Sequence, residues 1–110
     1  MDIENKDGFI LITFSKDADF EFLTKELQNQ LSDKHVIVDL LQTSANLETL
    51  NNLIPIAENY RENNLSLILV IANIDIDEAP DEVSFAPTFL EATDLLEMEN
   101  LERELIQGDE

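Results

Sequence analysis

Residues 35–53, HVIVDLLQTSANLETLNNL, decide the fold. Val36-Ile37-Val38 is a short continuous apolar strand, a pattern expected where a strand is buried on both faces. It ends at Asp39 and gives way to a polar loop. A helix starts near Asn46, whose side chain suits the N-cap because it can accept an otherwise unpaired amide of the first turn. Leu47, Leu50, Leu53, Ile54 and Ala57 then fall on one apolar stripe. Strand, loop and helix in this order form the repeating unit of α/β proteins, and ligands and switches sit preferentially at the corner between them. Here the corner contains no glycine-rich loop, no cluster of metal ligands and no nucleophile beside a base.

Working outward, Met1 to Asn5 and Phe9 to Phe14 read as strands joined by the turn Lys6-Asp7-Gly8. Gly8 supplies the positive φ that a tight hairpin requires. Phe9-Ile10-Leu11-Ile12 is apolar on consecutive positions and is expected to be buried on both faces. From Asp19 to Leu31 the period becomes helical, with Phe20, Leu23, Leu27 and Leu31 on one side and Asp17 or Asp19 available as the cap. Pro55 interrupts the helix from Asn46, because proline removes a backbone donor. A kink, or a restart near Leu53, is expected, with Asn63-Asn64 as the end. Leu67 to Ala72 is the most hydrophobic run and the expected central strand. Ile74 to Glu82 is an acidic loop containing Pro80, and Val83 to Ala86 is a short last strand. Thr88 and Glu91 form a capping box. The helix they start extends to about Ile106, with Phe89, Ala92, Leu95, Leu96, Met98, Leu101 and Leu105 along its apolar side. The expected order is β-β-α-β-α-β-β-α in one domain, 1–107, ending in a frayed acidic tail, 108–110. Crossover helices imply parallel pairing, and the opening hairpin adds an antiparallel edge. The fold class is therefore α/β, with a mixed four- to five-stranded sheet and about three helices mainly on one face.

The chain carries 25 acids against 6 bases, a net charge of −19, and 13 of the acids but only Arg103 among the bases lie in residues 73–110. Such a surface repels nucleic acid phosphates and anionic lipid. It favours a basic partner, or serves solubility alone. There is no Cys, hence no disulfide and no thiolate chemistry, and the lone His35 cannot by itself build a histidine-based metal site. The acidic start at Asp2, Glu4 and Asp7 is unlike the basic opening of a signal peptide, and no apolar run approaches the ~18 residues of a membrane span. A cytoplasmic location is the expectation.

Val36-Ile37-Val38-Asp39-Leu40 and the following Asn46-Leu47-Glu48-Thr49-Leu50 resemble the STAS domain of the anti-sigma factor antagonists. In that family a strand of the type V-I-x-D-L leads to D-S-S-G-L at a helix start, and a serine of the motif is phosphorylated by a partner kinase. Here Asn46 stands for the Asp and Leu50 for the Leu. Leu47 and Glu48 replace the serines, and Thr49 replaces the Gly. The resemblance implies the STAS-like (SpoIIAA-like) fold and a switch motif that has lost its phosphate acceptor. From residue 35 onward the chain is more similar still to small acidic STAS-like proteins of Bacteroidetes, a group that often carries the name ribonuclease Z. The shared stretches are Ile76-Asp77-Glu78-Ala79-Pro80-Asp81-Glu82, Ala86-Pro87-Thr88-Phe89-Leu90-Glu91-Ala92 and Glu97-Met98-Glu99-Asn100-Leu101-Glu102-Arg103-Glu104-Leu105. The nuclease name fails on chemistry: that enzyme needs an H-x-H-x-D-H cluster for two zinc ions, and this chain has one histidine.

Each candidate residue has a structural reading beside the functional one. Asp39 can order a loop or hold a ligand, and satisfying nearby amides is the commoner role. Glu48 can imitate a phosphoserine or simply suit the helix dipole. Ser44 and Thr43 lie in the switch loop, with nothing basic near them in sequence to hold a phosphate. Asp75, Asp77, Glu78, Asp81 and Glu82 lack the spacing of an EF-hand, which leaves at most a weak, adventitious cation site. His35, beside Lys34, reads as a surface residue. The leading expectation is a non-enzymatic interaction module without cofactor or metal, acting on a protein partner or on a second copy as a homodimer. The alternatives are a small-ligand or cation-binding domain with a carboxylate-lined site, and a structural adaptor that binds through its acidic C-terminal helix.

Overall fold

The computed structural model describes residues 2–15, 20–29 and 34–107. Five strands form one sheet in the order β1-β2-β3-β4-β5: β1 Asp2–Lys6, β2 Phe9–Thr13, β3 Val36–Asp39, β4 Leu67–Val70 and β5 Ser84–Ala86. The opening hairpin is antiparallel with Lys6 opposite Phe9, and Gly8 takes φ +93° in its turn. The three remaining pairings are parallel. The helices are α1 Phe20–Asn29, α2 Leu47–Asn52, α3 Ile54–Glu62 and α4 Phe89–Gln107. Asp17, Asp19 and Leu31, invoked for the first helix, and Gly108-Asp109-Glu110 lie outside the described residues, as do Met1 and the side chain of Phe20.

The expected interruption at Pro55 is present. Leu53 separates α2 from α3, and Pro55 sits in the first turn of α3, where its missing N–H would have no partner in any case. Asn63-Asn64 ends α3 as expected. Asn64 adopts the left-handed conformation (φ 60°), and the Leu65 and Asn64 amides donate to Tyr60 O (2.8 Å) and Arg61 O (3.0 Å). These two bonds close a Schellman motif.

The crossovers through α1 and through α2 and α3 advance the same way across the sheet, and their buried residues share one face. Leu23 and Leu27 of α1, Leu50 of α2, and Ile56, Ala57 and Tyr60 of α3 pack there on Ile10, Ile12, Val36, Val38, Leu67 and Leu69. The fourth helix follows the last strand, free of a crossover, and covers the opposite face. Ala92 and Leu96 meet Ile37, Ile68, Val70 and Ala86. Of the three expected helices, the first and the one interrupted at Leu53 share a face, and the C-terminal helix α4 corrects the expectation by lying on the other. Two further expectations need correcting. The middle strand is β3, and β4 lies next to the β5 edge. In β2 only Ile10 and Ile12 are buried, while Phe9, Leu11 and Thr13 are half-covered, because α4 packs over β4 and β5. Phe9 finds Phe89 as a tilted ring partner at 6.2 Å. Among the described residues no helix is long and apolar enough to cross a membrane.

Candidate functional site

At the carboxyl ends of the strands the sequence-derived candidates do come together. Asp39 closes β3, and its Oδ1 accepts the Leu41 amide at 3.0 Å. Thr43 donates its hydroxyl to Leu40 O at 2.8 Å and accepts the Ala45 amide at 3.1 Å. Asn46 caps α2 by accepting the Glu48 amide at 3.0 Å, and its own amide donates to Thr49 Oγ1 at 3.2 Å. The stretch Asn46 to Leu50, read above as a degenerate switch motif, starts with a capping box in which Thr49 takes the role that Glu usually plays. Ser44 and Glu48 are exposed.

The leucines of the motif behave differently from each other. Leu50 is fully buried, and Leu47 is half-buried against the same core. Neither supplies an exposed apolar helix start. Ile74 of the acidic loop packs on that core as well. Between the two loops runs an open cleft of about 380 Å³, lined among others by Leu41, Thr43, Leu47, Asn73, Asp75 and Glu78. Asn73 takes a left-handed φ of 62°, and Asp75 Oδ1 accepts the Asp77 amide at 2.9 Å. The apolar side chains that do reach solvent here are Leu41, 43% exposed, and Ile76, 80% exposed. Among the described residues no group of three or more carboxylates or histidines is placed to hold a metal ion.

The opposite end of the strands holds a cluster that the sequence did not announce. Glu99 of α4 accepts the Ser66 hydroxyl at 2.6 Å through Oε1 and the Ser84 hydroxyl at 2.7 Å through Oε2. Arg103 Nη2 donates to Ser66 Oγ at 2.9 Å and to Asn100 Oδ1. Ser66 is only 2% exposed. Its amide donates to His35 Nδ1 at 2.9 Å, so His35 is half-buried and joins the starts of β3 and β4 rather than lying on the surface. Burial first, then the Arg103 charge, lower the His35 pKa, with Glu99 acting in the other direction. A neutral imidazole accepting at Nδ1 carries its proton on Nε2. A cleft of about 400 Å³ adjoins the cluster, and there Arg61 donates to Glu82 O at 3.2 Å. Chemically, the cluster places a carboxylate between two hydroxyls, and both Ser66 lone pair and proton are committed within it. Its residues are far apart in sequence. The one available signal was register: positions 92, 96, 99 and 103 share a helix face, so Glu99 and Arg103 continue the buried line of Ala92 and Leu96.

The chain matches no protein-family model, and no curated protein matches it in sequence.

Proposed function

We propose that this chain is a non-enzymatic STAS-like interaction module that binds a protein partner at the carboxyl end of its sheet. The supporting observation is the composition of that end. The side chains of Asp39, Thr43, Asn46 and Thr49 there are spent on local turns and a helix cap, while Leu41 and Ile76 face solvent. An apolar surface beside a preformed cleft is suited to docking a partner. The reading also draws on the order of elements along the chain and on the strand that ends at Asp39 before a loop and a helix, the features on which the STAS resemblance rests. The switch motif no longer takes phosphate in this reading, because Leu47 and Glu48 occupy the serine positions.

A photo-reactive phenylalanine analogue at position 41 or 76, irradiated in the chain's own cell, tests the docking end. A discrete protein adduct is expected from both positions and none from Glu58 on the exposed side of α3. Adducts to nucleic acid, or equal labelling from position 58, would overturn the reading. Intact mass of the native protein should show no phosphate adduct, and purified chain should leave precursor transfer RNA uncut. A phosphopeptide spanning Thr43 to Thr49, or cleavage abolished by a chelator, would defeat it.

A further inference from the structure

α4 has two apolar sides. Ala92 and Leu96 face the sheet, and Glu99 and Arg103 continue that line into the buried cluster. Leu90, Met98, Leu101 and Leu105 are 71%, 57%, 57% and 72% exposed. At 3.6 residues per turn these four fall within an arc of about 80° on the side opposite the buried line. Sequence reading merged the two sides into one stripe; the structure separates them. Asp94 lies within the outer stripe, and Glu97 and Glu104 border it on one side, Glu91 and Glu102 on the other, all exposed. The only base of the helix, Arg103, is turned inward onto Ser66.

We propose that this outer face of α4 docks a basic amphipathic helix of a partner protein, at a site separate from the cleft at the carboxyl end. Charge decides between the possible occupants. A second copy laid stripe against stripe would bury two Asp94 carboxylates with no cation on either helix face. Burying a charge without a partner is strongly unfavourable. It would also align the glutamate borders of two chains that each carry −19. A helix with Leu-like residues at helical spacing and Lys or Arg flanks meets every requirement at once. It covers the four apolar side chains, places a cation against Asp94 and pairs with both acidic borders. This is the helix-in-groove mode of recognition, in which apolar anchors supply affinity and flanking charge selects the partner.

The probe is a fluorescein-labelled 18-residue amphipathic Leu/Lys peptide, read by anisotropy with the full chain at physiological salt. A scrambled peptide of identical composition and an amphipathic Leu/Glu peptide are the controls. The Leu/Lys peptide is expected to bind at least tenfold tighter than the scrambled one, and the Leu/Glu peptide not at all. The double variant Leu101→Gln with Leu105→Gln leaves the charge unchanged and should weaken binding at least tenfold while circular dichroism and Tm stay as in the wild type. Ile76→Gln should bind like the wild type, which separates this site from the cleft. Equal binding of the scrambled peptide, or no effect of the double variant, would reduce the attraction to net charge and overturn the proposal. Sedimentation showing a dimer that the double variant abolishes would overturn it in favour of a second copy.

Discussion

The two ends of the parallel strands satisfy their polar groups in opposite ways. At the carboxyl end every side-chain hydrogen bond described for Asp39, Thr43, Asn46 and Asp75 reaches two or three residues along the chain. At the amino end Glu99, Arg103 and His35 reach Ser66 and Ser84 across 15 to 37 residues. Local bonds form with little help from the fold and can rearrange without unfolding it. The Glu99 and Arg103 bonds exist only when α4 lies on the sheet, and the His35 bond only when β3 and β4 pair, so these bonds share the cooperativity of the fold. The first kind of end suits recognition, and the second holds the domain together.

The strongest way to break this contrast is Glu99→Ala. It removes two charge-assisted hydrogen bonds, leaves the Ser66 and Ser84 hydroxyls without their acceptor and takes away the carboxylate near Arg103, at a cost of about 3 kcal/mol. Denaturant unfolding should show it as a lower midpoint with an unchanged slope. A cost below that of a surface substitution would mean that the amino end is not a tie. Leu47→Asp is next. Leu47 is half-buried on the main core, so a carboxylate there should cost about 2 kcal/mol, between a surface change and a full core disruption. A folded, fully stable Leu47→Asp would return this residue to the docking surface.

Asn46→Ala removes the acceptor for the Glu48 amide and should cost about 1 kcal/mol, the usual value of an N-cap. Because the bond is local, the loss should appear as faster amide exchange confined to the first turn of α2. His35 tests the other end through pH. Its folded pKa is lowered by burial and by Arg103, so the folded state resists a proton that the unfolded state accepts. The contribution is complete above the ordinary pKa of 6.5 and is lost as pH falls from there through the lower folded value. Protonated Nδ1 also loses the Ser66 amide. His35→Asn keeps an acceptor at that place without titrating, so the melting temperatures of the two proteins should diverge below pH 6.5, with the wild type falling further. Parallel curves would remove His35 from the tie.

The same contrast explains what could be read from sequence. Apolar runs and helical periods gave five strands in chain order and a kink or restart near Leu53, because each of these depends on neighbours within a few residues, and the parallel pairing of strands joined by helices followed from the rule for crossovers. The cap at Asn46 and the end at Asn63-Asn64 were legible for that reason too. The Ser66–Glu99–Ser84 bridge was not, since its partners meet only through the packing of α4. The two sides of α4 were confused because an apolar residue facing water and one facing the sheet look alike in a list. Only the register from Ala92 to Arg103 distinguishes them. Leu47 and Leu50 do serve the core, as their place on the apolar stripe with Leu53, Ile54 and Ala57 implied, and the resemblance, which puts them in a switch motif, carried no sign of that part.

The smallest expected effect is the sharpest test of the carboxyl end. Asp39 accepts the Leu41 amide through one oxygen, and an Asn side chain offers an oxygen at the same place. Asp39→Asn should therefore change stability by less than about 0.5 kcal/mol. The weaker amide acceptor is offset by removing one negative charge from a chain at −19. Asp39→Ala deletes the acceptor and should cost about 1 kcal/mol. The pair separates geometry from charge. If Asp39 only orders the loop that presents Leu41, photo-crosslinking from position 41 should survive Asp39→Asn and fall in Asp39→Ala. If instead its charge holds a ligand or cation, both variants should lose the adduct equally. In that event the carboxyl end would bind through a carboxylate, and its difference from the amino end would lie in where the charge points rather than in how far its hydrogen bonds reach.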